Sequence, residues 1–287
     1  MKHADSERGM RIPALVLIFA LIPAILTGQT IWVDRPDNGY ASVEILKPSF
    51  KHDDENLPMY AFMVSLHLPV SDSLRLVFDL PLAYAAYYKY NYDYPTYTLS
   101  KSRRSEFAPG NPYFGIEGPA DAGLSWEIGV RLPLASEKKT YALSVGYLSD
   151  YDRMEAFGRE LLPLQLSLNI RRMDASGLNA RLRFGPDFWV YTASDRSDDR
   201  FELLMHYSGQ VGFEGKGLAV LAGITGRLIV TEGDLNIGER TFHQLGISAG
   251  VNLGRFRPAL FARFPLDKDL SEILENVIGL TCSARTD

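Results

Sequence analysis

Five histidines, a single cysteine and a few clusters of acidic residues are the side chains of this chain with the most obvious chemistry. His206 and Ser208 lie two apart. In extended backbone, residues at that spacing leave on the same side, so an imidazole would sit beside a hydroxyl, as a serine hydrolase requires. Polar pairs at this spacing are common by chance, and no nucleophile motif surrounds either residue. His3, His52, His67 and His243 stand in no recognisable motif. Asp195, Asp198 and Asp199 would hold calcium only loosely, and a solvated acidic loop is the simpler reading. Cys282 excludes an internal disulfide and falls in an apolar alternating run, where a thiol acts as a small hydrophobe. No metal-ligand set, phosphate-cradling glycine loop or nucleic-acid motif occurs. The expectation is therefore a non-enzyme with no cofactor, no metal and no nucleic-acid partner. A hydrolase built on His206 and Ser208 is the remoter alternative.

A second group of polar residues is more systematic, because strand alternation places it. From Phe201, every second residue reads Phe201, Leu203, Met205, Tyr207, Gly209, Val211, Phe213, and the opposite face carries Glu202, His206, Gln210 and Glu214. The pattern resumes at Leu218 and again at Leu245. Period-two alternation means β-strand, and these strands are long, roughly 11 to 14 residues against about 5 to 6 in ordinary globular domains. Tilted strands crossing a hydrocarbon layer need about 9 to 11. One face is apolar while the other carries Glu, Gln, Asn, Arg and Gly, the composition of a strand with lipid outside and a polar lumen inside. A soluble sandwich or lipocalin-like barrel also alternates, but with shorter strands and an apolar interior.

The same alternation, carried along the chain, assigns a lumen lining. It comprises Glu44, Arg75, Asp79, Glu127, Arg131, Arg171, Arg181, Arg183, Glu202, His206, Gln210, Glu214, Arg227 and Arg285, with Asp187 and Arg263 as additions. Arginine is in excess, which leans a lumen toward anions. Alternatively, opposite charges on neighbouring strands pair and fill a narrow barrel that passes nothing. Tyr88, Tyr90, Tyr92 and Tyr94 alternate with Lys89, Asn91 and Asp93. They would present ring faces to an outer ligand or form the aromatic girdle of a membrane barrel.

The chain has 287 residues, a formal net charge of −5 and 11% aromatic residues. Mild acidity says little about partners. At the N-terminus, Arg11 precedes an uncharged apolar run from Ile12 to Leu26 and then Thr27-Gly28-Gln29, the order of an export signal. We expect a signal peptide at 1–28, with Met10 an alternative start, an irregular segment at 29–39, and a barrel over 40–285.

Short links are expected at Ser71, Pro119, Ala175, Gly215 and Arg255. Long links are expected at 48–58, 84–110, 135–160, 193–200, 232–240 and 265–275. They alternate without a break if 141–149 is loop rather than strand, with a short helix expected over Asp150 to Leu161. The first strand, Ser42 to Lys47, is the weakest. The result is an all-β chain: an antiparallel transmembrane β-barrel of about twelve strands with short periplasmic turns and longer outer loops.

Three pieces, Gly110-Asn111-Pro112-Tyr113-Phe114-Gly115, Gly129-Val130-Arg131-Leu132-Pro133-Leu134 and Arg263-Phe264-Pro265-Leu266-Asp267, resemble strand ends in bacterial outer-membrane channels. The groups most similar in rhythm are the proteins of phenol-degradation pathways and the long-chain fatty-acid channels. The chain departs from them in ending Ala284-Arg285-Thr286-Asp287 rather than on an aromatic residue. The resemblance implies a Gram-negative outer membrane, lipid and the barrel-assembly machinery as partners, and passive passage of small apolar or anionic solutes. The alternative is a structural or adhesive barrel whose lumen stays shut.

Overall fold

A computed structural model of the chain describes residues 39–51, 57–93, 98–119, 123–193, 200–232 and 236–285. The expected signal peptide, His3, His52, Tyr94 and the Asp195, Asp198, Asp199 cluster lie outside the described residues. Thirteen strands form: β1 (Tyr40–Phe50), β2 (Met59–Ser71), β3 (Leu74–Asp93), β4 (Thr98–Pro109), β5 (Tyr113–Pro119), β6 (Leu124–Arg131), β7 (Leu161–Met173), β8 (Leu178–Tyr191), β9 (Phe201–Glu214), β10 (Leu218–Ile229), β11 (Thr241–Val251), β12 (Phe256–Pro265) and β13 (Leu274–Arg285).

Every neighbouring pair is antiparallel, and the sheet closes where β1 meets β13, with Tyr40 opposite Arg285 and Glu44 opposite Thr281. The wall is a twelve-strand barrel with one extra strand. The extra one arises because β3 is 20 residues long. Its first half pairs with β5, Arg75 opposite Glu117, and its second half pairs with β4, Tyr92 opposite Leu99. β4 and β5 are thus one line interrupted at Gly110-Asn111-Pro112. The tyrosine-rich stretch is a β-hairpin projecting beyond the barrel.

Alternation decides which side chains face out. Leu76, Phe114, Leu164, Leu182, Val211, Ile224, Leu260 and Ile278 are all exposed. Joined around a closed wall, they make a belt that would promote aggregation in water but contacts acyl chains in a bilayer. Closure leaves no unpaired strand edge in the hydrocarbon, as a spanning sheet requires. No described helix is long and apolar enough to cross a membrane. Cys282 is exposed on the belt.

Three boundaries differ from those expected. β1 runs over 11 residues rather than six, because both its ladders are filled, one by β2 and one by the last strand. The helix expected at Asp150–Leu161 lies one step earlier: α1 spans Thr140–Ser149, a 3-10 turn spans Tyr151–Ala156, and Leu161 already begins β7. The last strand, expected from Asn276, starts inside the acidic loop at Leu274, directly after α2, Lys268–Ile273.

The turns after β2, β5, β7, β9 and β11 are short, and both barrel termini lie at their end. That arrangement places the short-turn end in the periplasm and the β3–β4 hairpin outside. In a Cys282→Ser background, Asn91→Cys should label with an impermeant maleimide on intact cells, whereas Ser176→Cys should label only after permeabilisation. The reverse pattern would invert the topology.

Candidate functional site

The barrel interior has two unlike halves. Toward the long-loop end its wall is apolar and small, with Leu46, Ala61, Met63, Ala83, Ala85 and Ala108 all buried. Those alanines leave room for α1, which packs inside against β1 to β4 with Leu143 and Val145 buried. Glu106 on β4 holds the start of this helix. Its carboxylate accepts the Tyr141 and Ala142 amides at 3.1 and 3.4 Å, as a negative charge does at a helix N-terminus. The Tyr87 hydroxyl donates to the same carboxylate, and its ring stacks on Tyr141 at 3.8 Å. Residues 135–160 thus fold into the lumen as a plug.

Asn111, at the break between β4 and β5, grips both ends of that plug. Its amide donates to the Glu155 and Gly158 carbonyls at 3.0 and 2.6 Å, and its side-chain oxygen accepts the Ala135 amide at 2.9 Å. Gly110 beside it has no side chain for a reason: a Cβ there would lie 2.2 Å from the Ala156 carbonyl oxygen.

The tip of the plug ends in charges, and the wall answers them. Arg131 on β6 and Arg227 on β10 both reach Glu155, at 3.2 and 2.7 Å. Arg263 on β12 reaches Asp150 at 2.9 Å and Asp152 at 3.3 Å, and donates to the Ser149 carbonyl. In the opposite sense, Arg153 of the plug meets Glu44 of β1 at 2.8 Å. Asp79 backs Arg131 at 3.6 Å, and Asp187 backs Arg227 at 3.4 Å. Arg131, Arg227, Arg263, Asp150 and Glu155 are each 2% exposed or less, so the lumen is sealed at this level. Burial works to raise the Asp150 pKa, but Arg153 and Arg263 more than offset it and hold the carboxyl below its usual range.

His206 does not pair with Ser208. Its Nε2 lies 2.9 Å from Ser167 Oγ on β7 and its Nδ1 3.1 Å from Asp187 on β8. Ser208 is two positions along the same strand, while Ser167 comes from the other side of β8, a contact that spacing along the chain cannot reveal. The Ser167–His206–Asp187 chain has the connections of a nucleophile triad. However, Ser167 is 0% exposed, and the cavity beside His206 has only about 20 Å³. An acyl substrate does not fit, and the three residues bridge β7, β8 and β9. His67 meets Glu117 at 3.3 Å, and His243 meets Asp267 at the rim.

Toward the short-turn end the lumen is basic. Arg171 reaches Glu214 at 2.8 Å, Arg257 reaches the same carboxylate at 3.6 Å, and Arg183 donates to Ser167 at 3.1 Å. Arg181 and Gln210 lie directly opposite each other on β8 and β9. Arg75 pairs with Glu117, and Glu127 accepts the Tyr113 hydroxyl. Glu202 stands opposite Trp189 near the long-loop end, and Arg285 lines the short-turn mouth. Sequence reasoning missed Asn111, Glu106 and the plug's own Asp150, Asp152, Arg153 and Glu155. Of the tyrosines, Tyr88 and Tyr90 have the Lys101 ammonium over their rings at 3.8 and 5.9 Å. Tyr92 is exposed.

A closed antiparallel barrel with an apolar belt and a charged interior defines an outer-membrane β-barrel. No protein-family model matches the chain, and no curated protein does. Among solved structures it is similar to an outer membrane channel from Pseudomonas putida F1, with a TM-score of 0.57 and 9% identity over 90% of this chain and 99% of that chain. It is also similar to the NanC porin, with a TM-score of 0.49 and 10% identity over 85% of this chain and 98% of that one. A third is LpxR from Salmonella typhimurium, with a TM-score of 0.44 and 12% identity over 86% of this chain and 100% of that one.

Proposed function

We propose that the protein is a gated outer-membrane channel for passive passage of small anionic solutes, shut at rest by the 135–160 plug. The observation that carries this reading is how the plug is held. A lumen sealed for structural reasons alone would be filled most stably by apolar side chains. Here the seal is made of buried ion pairs, whose desolvation cost roughly cancels their attraction. Such a contact is specific and reversible, and it sits in an otherwise polar, arginine-rich bore. The likeness to an outer membrane channel supports the reading through the fold.

The competing reading is a barrel whose lumen never opens and whose outer hairpin binds a partner. The sealed tip favours it. Planar-bilayer recording of purified protein separates the two. We expect long closures with brief openings at neutral pH, and an anion preference that is lost or reversed in an Arg181→Glu, Arg183→Glu variant. Silence in the bilayer under every condition, with no solute uptake into liposomes, would leave the shut barrel.

Acid should open the gate. Asp150 is held below its ordinary value of 3.8 only while the plug is docked. Its contribution to docking is therefore complete above that value and is lost as pH falls through the lower, docked one. Open probability should rise below about pH 4 and return on neutralisation. A flat profile down to pH 3 in folded protein would contradict this.

A further inference from the structure

The short-turn half of the lumen gathers more positive charge than the barrel needs. Arg171 on β7 and Arg181 on β8 are direct cross-strand partners, a placement that is unfavourable for like charges. Arg183 and Arg257 stand nearby, and Glu214 is a carboxylate that both Arg171 and Arg257 meet. Of the neighbouring lumen carboxylates, Glu117 is engaged by His67 and Arg75, Glu127 by the Tyr113 hydroxyl, and Asp187 by His206 and Arg227. An independent observation lies beside these arginines. Asn179 is 1% exposed and Gln210 4%, yet neither atom of the Asn179 amide nor the Gln210 Nε2 has a hydrogen-bond partner in the protein. Buried amides are normally satisfied. Both sit on the inward face, Gln210 directly opposite Arg181 and Asn179 two residues from it. At the short-turn mouth Glu214, Lys216, Asn252, Arg257 and Arg285 line a cavity of about 630 Å³, and Glu214, which meets Arg171, joins that cavity to the arginine group.

We propose that this half-lumen is a binding site for a small, doubly charged tetrahedral oxyanion of the phosphate or sulfate kind. Guanidinium forks and amide N–H groups converge where several acceptor oxygens can be met at once. A halide offers no such set of directions. The oxyanion would neutralise the Arg171–Arg181 repulsion and accept from the Asn179 and Gln210 amides. The site lies on the periplasmic side of the plug, so it is filled without opening the gate. This inference deepens the anion-channel reading and rests on it for its role, though not for binding itself.

The test is equilibrium binding to purified wild-type barrel in detergent, read as the temperature at which the compact gel form is lost. Inorganic phosphate and sulfate should raise that temperature saturably above sodium chloride of equal ionic strength, since a ligand bound only by the folded form stabilises it. Glycerol phosphate serves as a further arm. Saturation by it too assigns a phosphate group, and saturation by the free ions alone assigns the inorganic ion. Asn179→Leu and Arg181→Gln, each first shown to keep the heat-modifiable form, should weaken the apparent affinity about ten- to a hundredfold, the range for a hydrogen bond to a charged group. An equal, unsaturable rise with phosphate, sulfate and chloride would overturn the site, as would wild-type affinity in both variants. Saturable binding by a barrel that never conducts would sink the channel and leave the site standing. Conductance without saturable binding would do the converse.

Discussion

Glu155→Gln should convert a mostly closed barrel into a mostly open one. Arg131 and Arg227 both end on this carboxylate, from strands on different sides of the wall. Removing one partner of a buried ion pair costs about 3–5 kcal/mol, because the remaining charge is left uncompensated. The wall arginines belong to paired strands and retain Asp79 and Asp187 within reach. The strain therefore falls on the docked state of the plug rather than on the barrel. At 1.4 kcal/mol per decade, the docked-to-withdrawn ratio should fall about 10²- to 4 × 10³-fold. Single-channel open probability should rise by that factor until it saturates, with heat-modifiable mobility unchanged. Asn111→Ala should push the same way, since it removes three hydrogen bonds that clamp the ends of the plug, each worth about 1 kcal/mol. A folded Glu155→Gln barrel as silent as wild type would mean that 135–160 is a permanent filler.

The wall was legible because lipid and lumen impose opposite demands on alternate residues. Leu245, Ile247, Ala249 and Val251 had to face one way, and Gln244, Gly246, Ser248 and Gly250 the other. The alternation of long and short links then fixed parity and kept 141–149 out of the wall. The plug was not legible as a plug. Its helix has apolar residues on most sides, buried in a cavity that only the closed barrel creates, so no amphipathic period marks it. Its clearest trace was in the wall: Ala61, Met63, Ala83 and Ala85 are inward positions without polar side chains. An apolar inward patch in a polar bore requires something apolar to fill it. The Ser167 partner of His206 was hidden for a different reason. Cross-strand contacts spanning two ladders depend on barrel registers that spacing along the chain leaves open.

Gly185→Val should be among the most destabilising single changes in the wall. Gly185 faces inward on β8, opposite His206 of β9. On its other side, the β7–β8 ladder pairs Gln165 with Asp187 and Leu168 with Phe184, and has no pairs between them. There the backbones close in: a Cβ on Gly185 would lie 1.9 Å from the Leu166 carbonyl oxygen and 3.0 Å from the Ser167 Cα. Both are backbone atoms, so no side-chain rotation relieves the clash, and β7 must move away from β8. Overpacking of this kind costs about 1–3 kcal/mol. In this place it also pulls Ser167 away from His206, whose Nε2 it meets at 2.9 Å, and strains the bridge between three strands. Gly185→Ala should show a smaller loss of the same kind. Gly238→Val is the control, because a Cβ there meets nothing within 4 Å. The expected result is a lowered transition temperature and a reduced yield of the compact form for Gly185→Val alone. Equal stability of Gly185→Val and Gly238→Val would show that β7 and β8 can separate at this point without loss.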